Sequence, residues 1–126
     1  MAVRVLKTKT FARWARSERV TDAALCHAAR EIEAGVVEAR LGGYLLKKRL
    51  ARAHSGKSGG FRTIVAHRQG DRLFFIFGFS KSERDNIEDD ERKALLKLGD
   101  QYMAQSDKKL AELIKDKKII EVKCHD

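Results

Sequence analysis

The residues best suited to chemistry in this sequence are cations. Lys47, Arg49, Lys57 and Arg62 fall within one short stretch of chain. Converging cations are what a phosphate needs: arginine supplies a planar two-pronged donor and lysine a mobile point charge. The run Gly56-Lys57-Ser58-Gly59-Gly60 leads directly into Phe61-Arg62, so a loop lysine is followed by an arginine at the start of a strand. Gly56-Lys57-Ser58 has the ending of a phosphate-binding P-loop. That motif also requires a glycine where this chain has Ala51, and a helix where this chain continues as a strand. Nucleotide binding of the P-loop kind is excluded on those two grounds.

Other reactive side chains carry weaker signals. His54 and His67 flank the same region and can move protons near neutral pH, although each also reads as an ordinary loop or sheet-edge histidine. His27 sits among alanines on a helix and reads as structural, and His125 lies in the tail. No pair of side chains has metal-ligand spacing, so neither metal nor cofactor is expected. Cys26 and Cys124 form no CxxC motif and read as a buried thiol and a tail thiol. No GxSxG nucleophile motif occurs. Phe74, Phe75, Phe77 and Phe79 could stack on bases, but their apolar neighbours assign most of them to the core, leaving Phe79 at the strand end open. Lys81 and Arg84 follow that strand. Either they return to the side of Lys47 and Arg62, or Glu83 and Arg84 pair on the surface.

Charge points to the same stretch. The net charge is +9, from 27 basic and 18 acidic residues. Between Arg40 and Gly70 there is no Asp or Glu, and that stretch holds Arg40, Lys47, Lys48, Arg49, Arg52, Lys57, Arg62 and Arg68. Removing those eight leaves 19 basic against 18 acidic residues, so nearly all the excess comes from one segment. A surface selected for solubility mixes its signs. A one-sided block implies a polyanionic partner, nucleic acid before acidic protein or membrane.

The elements that must position these residues follow from periodicity. Val3 to Leu6 reads as a strand. Phe11, Trp14 and Ala15 recur at helical spacing behind a cap at Thr8 or Thr10. A second helix opens at Thr21 or Asp22, shows Leu25, Ala28, Ala29 and Ile32 on one face, and stops at Gly35. Leu41-Gly42-Gly43 breaks the pattern. Strands follow at Tyr44 to Leu50 and Phe61 to His67, with Lys47 and Arg49 on one face of the first because side chains alternate. After a turn at Gln69-Gly70-Asp71 comes Arg72 to Phe79, whose unbroken apolar run reads as a strand buried on both faces. Ala94, Leu95, Leu98, Tyr102 and Met103 mark another helix behind an acidic first turn. Ser106 or Asp107 caps a last one, and Ile119 to Val122 reads as a short strand or docking tail. No stretch is apolar enough to span a membrane, the start does not read as a secretory signal, and one cytoplasmic domain is expected. The fold expected is α+β: a small antiparallel β-sheet with an N-terminal helix pair and C-terminal helices packed on one side of it.

The ordered set Tyr44-Leu-Leu-Lys-Lys-Arg-Leu, Gly56-Lys-Ser-Gly-Gly-Phe-Arg-Thr-Ile, Phe74-Phe-Ile-Phe-Gly-Phe and Lys81-Ser-Glu-Arg-Asp-Asn-Ile resembles the RelE/HigB-like toxins of bacterial type II toxin–antitoxin systems. The likeness runs from about Val3 to Gln105, and residues 106–126 read as a C-terminal extension. It implies a ribosome-dependent messenger-RNA endonuclease, an mRNA interferase that inhibits translation without metal by attack of a ribose 2′-hydroxyl on the adjacent phosphate. Arg62 would then stabilise charge on the phosphate, with Lys47, Lys57 and Arg84 as further catalytic candidates. Lys48, Arg49, Arg52, His54 and Lys81 would hold RNA. The implied partners are a cognate antitoxin, the ribosome and its message, with operator DNA met only through the antitoxin complex and no membrane involved. Some members carry Tyr after the last sheet strand, where this chain reads Arg84-Asp-Asn-Ile-Glu, and Ser82 stands where some have Arg. A lysine or His54 is left to move the protons. Two other readings use the same scaffold: a module that binds nucleic acid without cutting it, and a gyrase-directed toxin of the ParE type.

Overall fold

The computed structural model describes residues 3–51 and 60–125. In chain order these form β1 (Arg4–Thr8), α1 (Lys9–Ser17), α2 (Asp22–Glu33), β2 (Ala39–Gly42), β3 (Leu45–Leu50), β4 (Phe61–Arg68), β5 (Arg72–Ser80), α3 (Asp89–Met103), α4 (Asp107–Lys115) and β6 (Ile119–Val122). The six strands make one sheet in the order β2-β3-β4-β5-β1-β6. The expected α+β architecture is present. The sheet is mixed rather than wholly antiparallel, because β1 lies parallel to β5. A parallel pair needs a long crossover, and here α1, α2 and the β2–β4 strands supply it.

Local chemistry fixes the element ends. Thr8 accepts a hydrogen bond from the Phe11 amide, Thr21 from Ala24 and Ser106 from Lys109, at 3.0, 3.2 and 3.0 Å. Each such cap stabilises its helix by about 1 kcal/mol. The Leu41-Gly42-Gly43 break is the tip of a hairpin. Gly42 and Gly43 have φ of +102° and +51°, which lets β2 fold back on β3.

The helices cover both faces of the sheet, not one. On one face Phe11 and Ala15 of α1 and Leu25, Ala29 and Ile32 of α2 pack with Leu46, Leu50, Phe61, Val65, Leu73 and Phe75. On the other, Met103 of α3 and Leu110 of α4 pack with Leu6, Leu45, Ile64, Ala66, Phe74 and Ile76. Burial of a large side chain such as Phe74 or Phe75, both with no solvent exposure, contributes about 1.5–3 kcal/mol. This is why β5 reads as a continuous apolar run. A bulge shifts its register, since Ile64 opposes Phe77 while Val65 opposes Phe75. The extra residue, Ile76, puts Phe77 and Phe79 on the α3 face and turns Gly78 toward Trp14 of α1.

Residues 106–126 supply part of this core. β6 pairs antiparallel with β1, and Leu110 and Ile119 are buried. Arg72 ties this region to β5. Its Nη1 donates to the carbonyls of Tyr102 and Gln105, and its Nη2 to Asp107 at 3.1 Å. The cysteines are not free thiols: Cys26 and Cys124 form a disulfide. β6 lies beside β1, next to α2, which brings residues 98 apart in sequence together. No sequence spacing could announce a contact made by a strand returning to the sheet's far edge. Among the described residues, no helix is long and apolar enough to cross a membrane.

Candidate nucleic-acid interface

The cations are gathered by strand register. Arg49 of β3 lies opposite Arg62 of β4, and Arg62 lies opposite Phe79 of β5. Lys47 and Phe77 oppose Ile64 in the same way. Residues directly opposite share a sheet face, so Lys47, Arg49, Arg62, Phe77 and Phe79 project to the α3 side. The two guanidinium groups meet at Gly60. A Cβ there would stand 3.6 Å from Arg62 Nη1 and 4.0 Å from Arg49 Nε, with the Leu50 carbonyl at 3.2 Å. A Cβ at position 60 would touch both arginines at ordinary contact distance and press only on the Leu50 carbonyl.

Arg84 returns to this group from beyond β5. Its guanidinium lies 5.5 Å from the Phe79 ring centre and 5.9 Å from that of Phe77, within cation–π range. Its acidic partner is Glu91 in the first turn of α3, not Glu83. Glu91 also accepts from the Glu88 amide in a capping box, so Arg84 is held by the helix start. The pair stabilises both charged forms. The Glu91 hydrogen bond raises the Arg84 pKa, while Arg84 first and the Glu88 amide second lower that of Glu91. Lys81 is exposed and Lys47 half-buried, and neither makes an ion pair among the described residues. Ser82 hydrogen-bonds Ser80 at 2.7 Å.

The remaining sequence candidates lie elsewhere. Lys48 points to the opposite face, as alternation requires. Its side chain is 6% exposed, with Nζ 3.1 Å from Glu31 and 3.0 Å from the Val36 carbonyl. It fastens α2 to the sheet and does not join the basic group. Arg52, His54 and Lys57 lie outside the described residues. His67 sits five positions along β4 from Arg62, about 16 Å in a strand, and its Nε2 lies 2.6 Å from Glu33. His27 is exposed rather than packed among its alanines. Tyr102 stacks on Phe74 with ring centres 4.6 Å apart, and burial raises its pKa. Among the described residues no three His, Cys, Asp or Glu side chains converge in a way that could hold a metal ion. A groove of about 430 Å³ lies at the β6 edge, lined by Ile114, Lys117, Ile119, Ile120, Glu121 and Lys123, away from the arginines.

One member of the group was not legible in the sequence. Glu38, just before β2, places Oε1 2.9 Å from Arg62 Nε. It lies two residues outside the acid-free segment, so charge counting passes over it. The hairpin signal Gly42-Gly43 would have folded β2 back and drawn attention to its neighbours.

A mixed sheet with helices on both faces, and arginines beside aromatic rings at one end, defines a small α+β protein. A family model described as the RelE toxin of the RelE / RelB toxin-antitoxin system matches residues 3–122, and the chain belongs to that family. It is thus the toxin of a toxin–antitoxin pair, whose partner is an antitoxin. No curated protein was found that matches the chain.

Proposed function

We propose that this toxin is a ribosome-dependent endoribonuclease that cuts messenger RNA and so stops translation. The observation that carries the reading is the Arg49–Arg62–Phe79 register, with Arg84 over the Phe77 and Phe79 rings. In the proposed reaction the ribose 2′-oxygen bonds to the adjacent phosphorus while the bond from phosphorus to the 5′-oxygen breaks. The 2′-hydroxyl proton leaves to a base and another is delivered to the 5′-oxygen, giving a cyclic phosphate and a free 5′-hydroxyl. The protein's contribution is to bind and neutralise. Arg62 and Arg49 face the phosphate as its negative charge concentrates. Arg84, set over the half-buried Phe77 ring and the Phe79 ring, which is buried in the core and so not a stacking platform, holds a neighbouring phosphate. Lys47 and Lys81 extend the cationic track, while the proposed parts of Lys57, Arg52 and His54, which lie outside the described residues, rest on the sequence resemblance alone. Neither metal nor cofactor takes part in this scheme. The whole chain, with residues 106–126 included, works as one folded unit, and its place of action is the cytoplasm, where ribosomes are.

The test is a reconstituted translation reaction with purified ribosomes and a defined message, mapped by primer extension with and without chelator. Discrete breaks within ribosome-occupied codons, unaffected by chelator and lost in Arg62→Ala, are expected. Blocked translation over an intact message would instead make this a binding protein that does not cut. An intact message with normal translation would discard the ribosomal reading.

A further inference from the structure

We propose that Glu38 is a positioning residue for Arg62, acting as its resident counter-ion; this rests on the reading of Arg62 as the phosphate-facing arginine. The arginine has an unusual setting. It is directly opposite Arg49, and both guanidinium groups approach within 4 Å of one point over Gly60. Two like charges this close repel each other, and the Arg62 side chain is only 7% exposed, so water screens it poorly. Glu38 Oε1 lies 2.9 Å from Arg62 Nε as an ion pair, and Glu38 is itself 31% exposed. A second tether comes from Arg62 Nη1, which donates to the Phe61 carbonyl at 3.4 Å. The Glu38 carboxylate thus lies against the Nε side of the guanidinium while Nη1 is held by the Phe61 carbonyl.

This arrangement has two consequences. The first is orientation: an ion pair on the Nε side and a hydrogen bond from Nη1 restrain the rigid fork, so its remaining donors are aimed before substrate arrives. The second is moderation. A carboxylate beside the arginine weakens its attraction for the singly charged phosphate of the ground state. Charge added in the transition state is met by an arginine already in place, and binding energy spent equally on both states would not raise kcat. Glu38 therefore costs affinity and raises turnover.

The experiment compares wild type, Glu38→Gln and Glu38→Ala, as full-length proteins, in two assays. Binding is measured with a 2′-O-methyl oligoribonucleotide, which cannot be cut, at fixed salt. Cleavage is measured as separate kcat and KM on ribosomes. Both variants are expected to bind the oligonucleotide about three- to tenfold more tightly, the effect of removing one nearby negative charge at a partly screened site. Glu38→Ala is expected to lose at least about tenfold in kcat with a lower KM, while Glu38→Gln, which keeps an acceptor for Nε, falls between it and wild type. In an Arg62→Ala background the gain in binding should vanish. A merely structural role would weaken binding and turnover together, with a lower melting temperature. Unchanged or weaker binding in both variants, a gain that survives in Arg62→Ala, or an unchanged kcat in Glu38→Ala would each overturn the proposal. If Glu38→Ala fails to fold, Glu38→Gln decides. If wild type does not cut at all, the endonuclease reading falls, and the binding assay with its Arg62→Ala background alone decides the counter-ion role.

Discussion

Gly78 gives a stringent test of how the candidate site is framed. It is buried on β5 between Phe77 and Phe79, and a Cβ there would stand 2.4 Å from Trp14 Cε3 and Cζ3 and 2.7 Å from Cη2. No real Cβ sits so close, so in Gly78→Ala either the indole or the strand must move. The indole has little room, with the Phe11 and Phe61 ring centres 5.4 and 5.2 Å from its own. Overpacking of this kind costs about 1–3 kcal/mol. For a chain of 126 residues, an unfolding entropy of about 2.1 cal/mol/K per residue gives roughly 0.26 kcal/mol/K, so each kcal/mol lowers Tm by about 4 °C. A fall of about 4–11 °C is expected. Urea titration should move the midpoint without changing the slope. The cause is tested by repeating the substitution in Trp14→Leu, where the smaller side chain leaves space. The added cost of Gly78→Ala should then drop by at least about 1 kcal/mol. Equal cost in both backgrounds, or none in either, would refute the argument that the indole dictates glycine at this position.

Three further outcomes follow from the same geometry. Cys124→Ser, or reduction of the wild type, should lower stability by about 2–5 kcal/mol, because the disulfide joins residues 98 apart in sequence; calorimetry with and without reductant checks this, and a melt unmoved by reductant would deny the bond. Arg72→Met should cost about 1–3 kcal/mol in urea unfolding, since the Tyr102 and Gln105 carbonyls lose their donor; an unchanged midpoint would mean the α3–α4 junction does not depend on it. The Glu91 carboxyl, held below the ordinary glutamate range by Arg84 and the Glu88 amide, should titrate at higher pH in Arg84→Ala, with the Glu88 amide still holding it down. Because its folded pKa is depressed, its contribution to stability is complete above about pH 4.5 and is lost as pH falls through the folded value. An NMR titration giving the same midpoint in both proteins would remove Arg84 as the cause.

Much of the framework was legible from periodicity and caps. Phe11 and Ala15 on α1, and Leu25 and Ile32 on α2, repeat at helical spacing and are buried as that spacing requires. The run Leu73-Phe74-Phe75-Ile76 announces a strand covered on both faces, and β5 is one. The same run already implied helices on both sides, so the expectation of one-sided packing conflicted with it. What the sequence could not supply was pairing between distant segments. The parallel union of β1 with β5, the place of β6 beside β1 and the disulfide all depend on where the chain returns.

Charge is where linear and spatial readings part most sharply. The segment from Arg40 to Gly70 contains no acid, yet in space much of it is met by acids from outside the segment. Lys48 meets Glu31, Arg62 meets Glu38, His67 meets Glu33 and Arg68 meets Asp71. Alternation then divides the strand charges between faces, so that Lys47 and Arg49 go to the α3 side and Lys48 goes beneath α2. A basic block in sequence is therefore an upper bound on a basic surface. The part that survives is defined by register: alternate residues of β3, the arginine opposite them on β4, and a cation returning over the rings of β5. That selection is what turns diffuse positive charge, which would attract any polyanion, into a local array at one end of the sheet, and the proposed hold on one phosphate rests on that array.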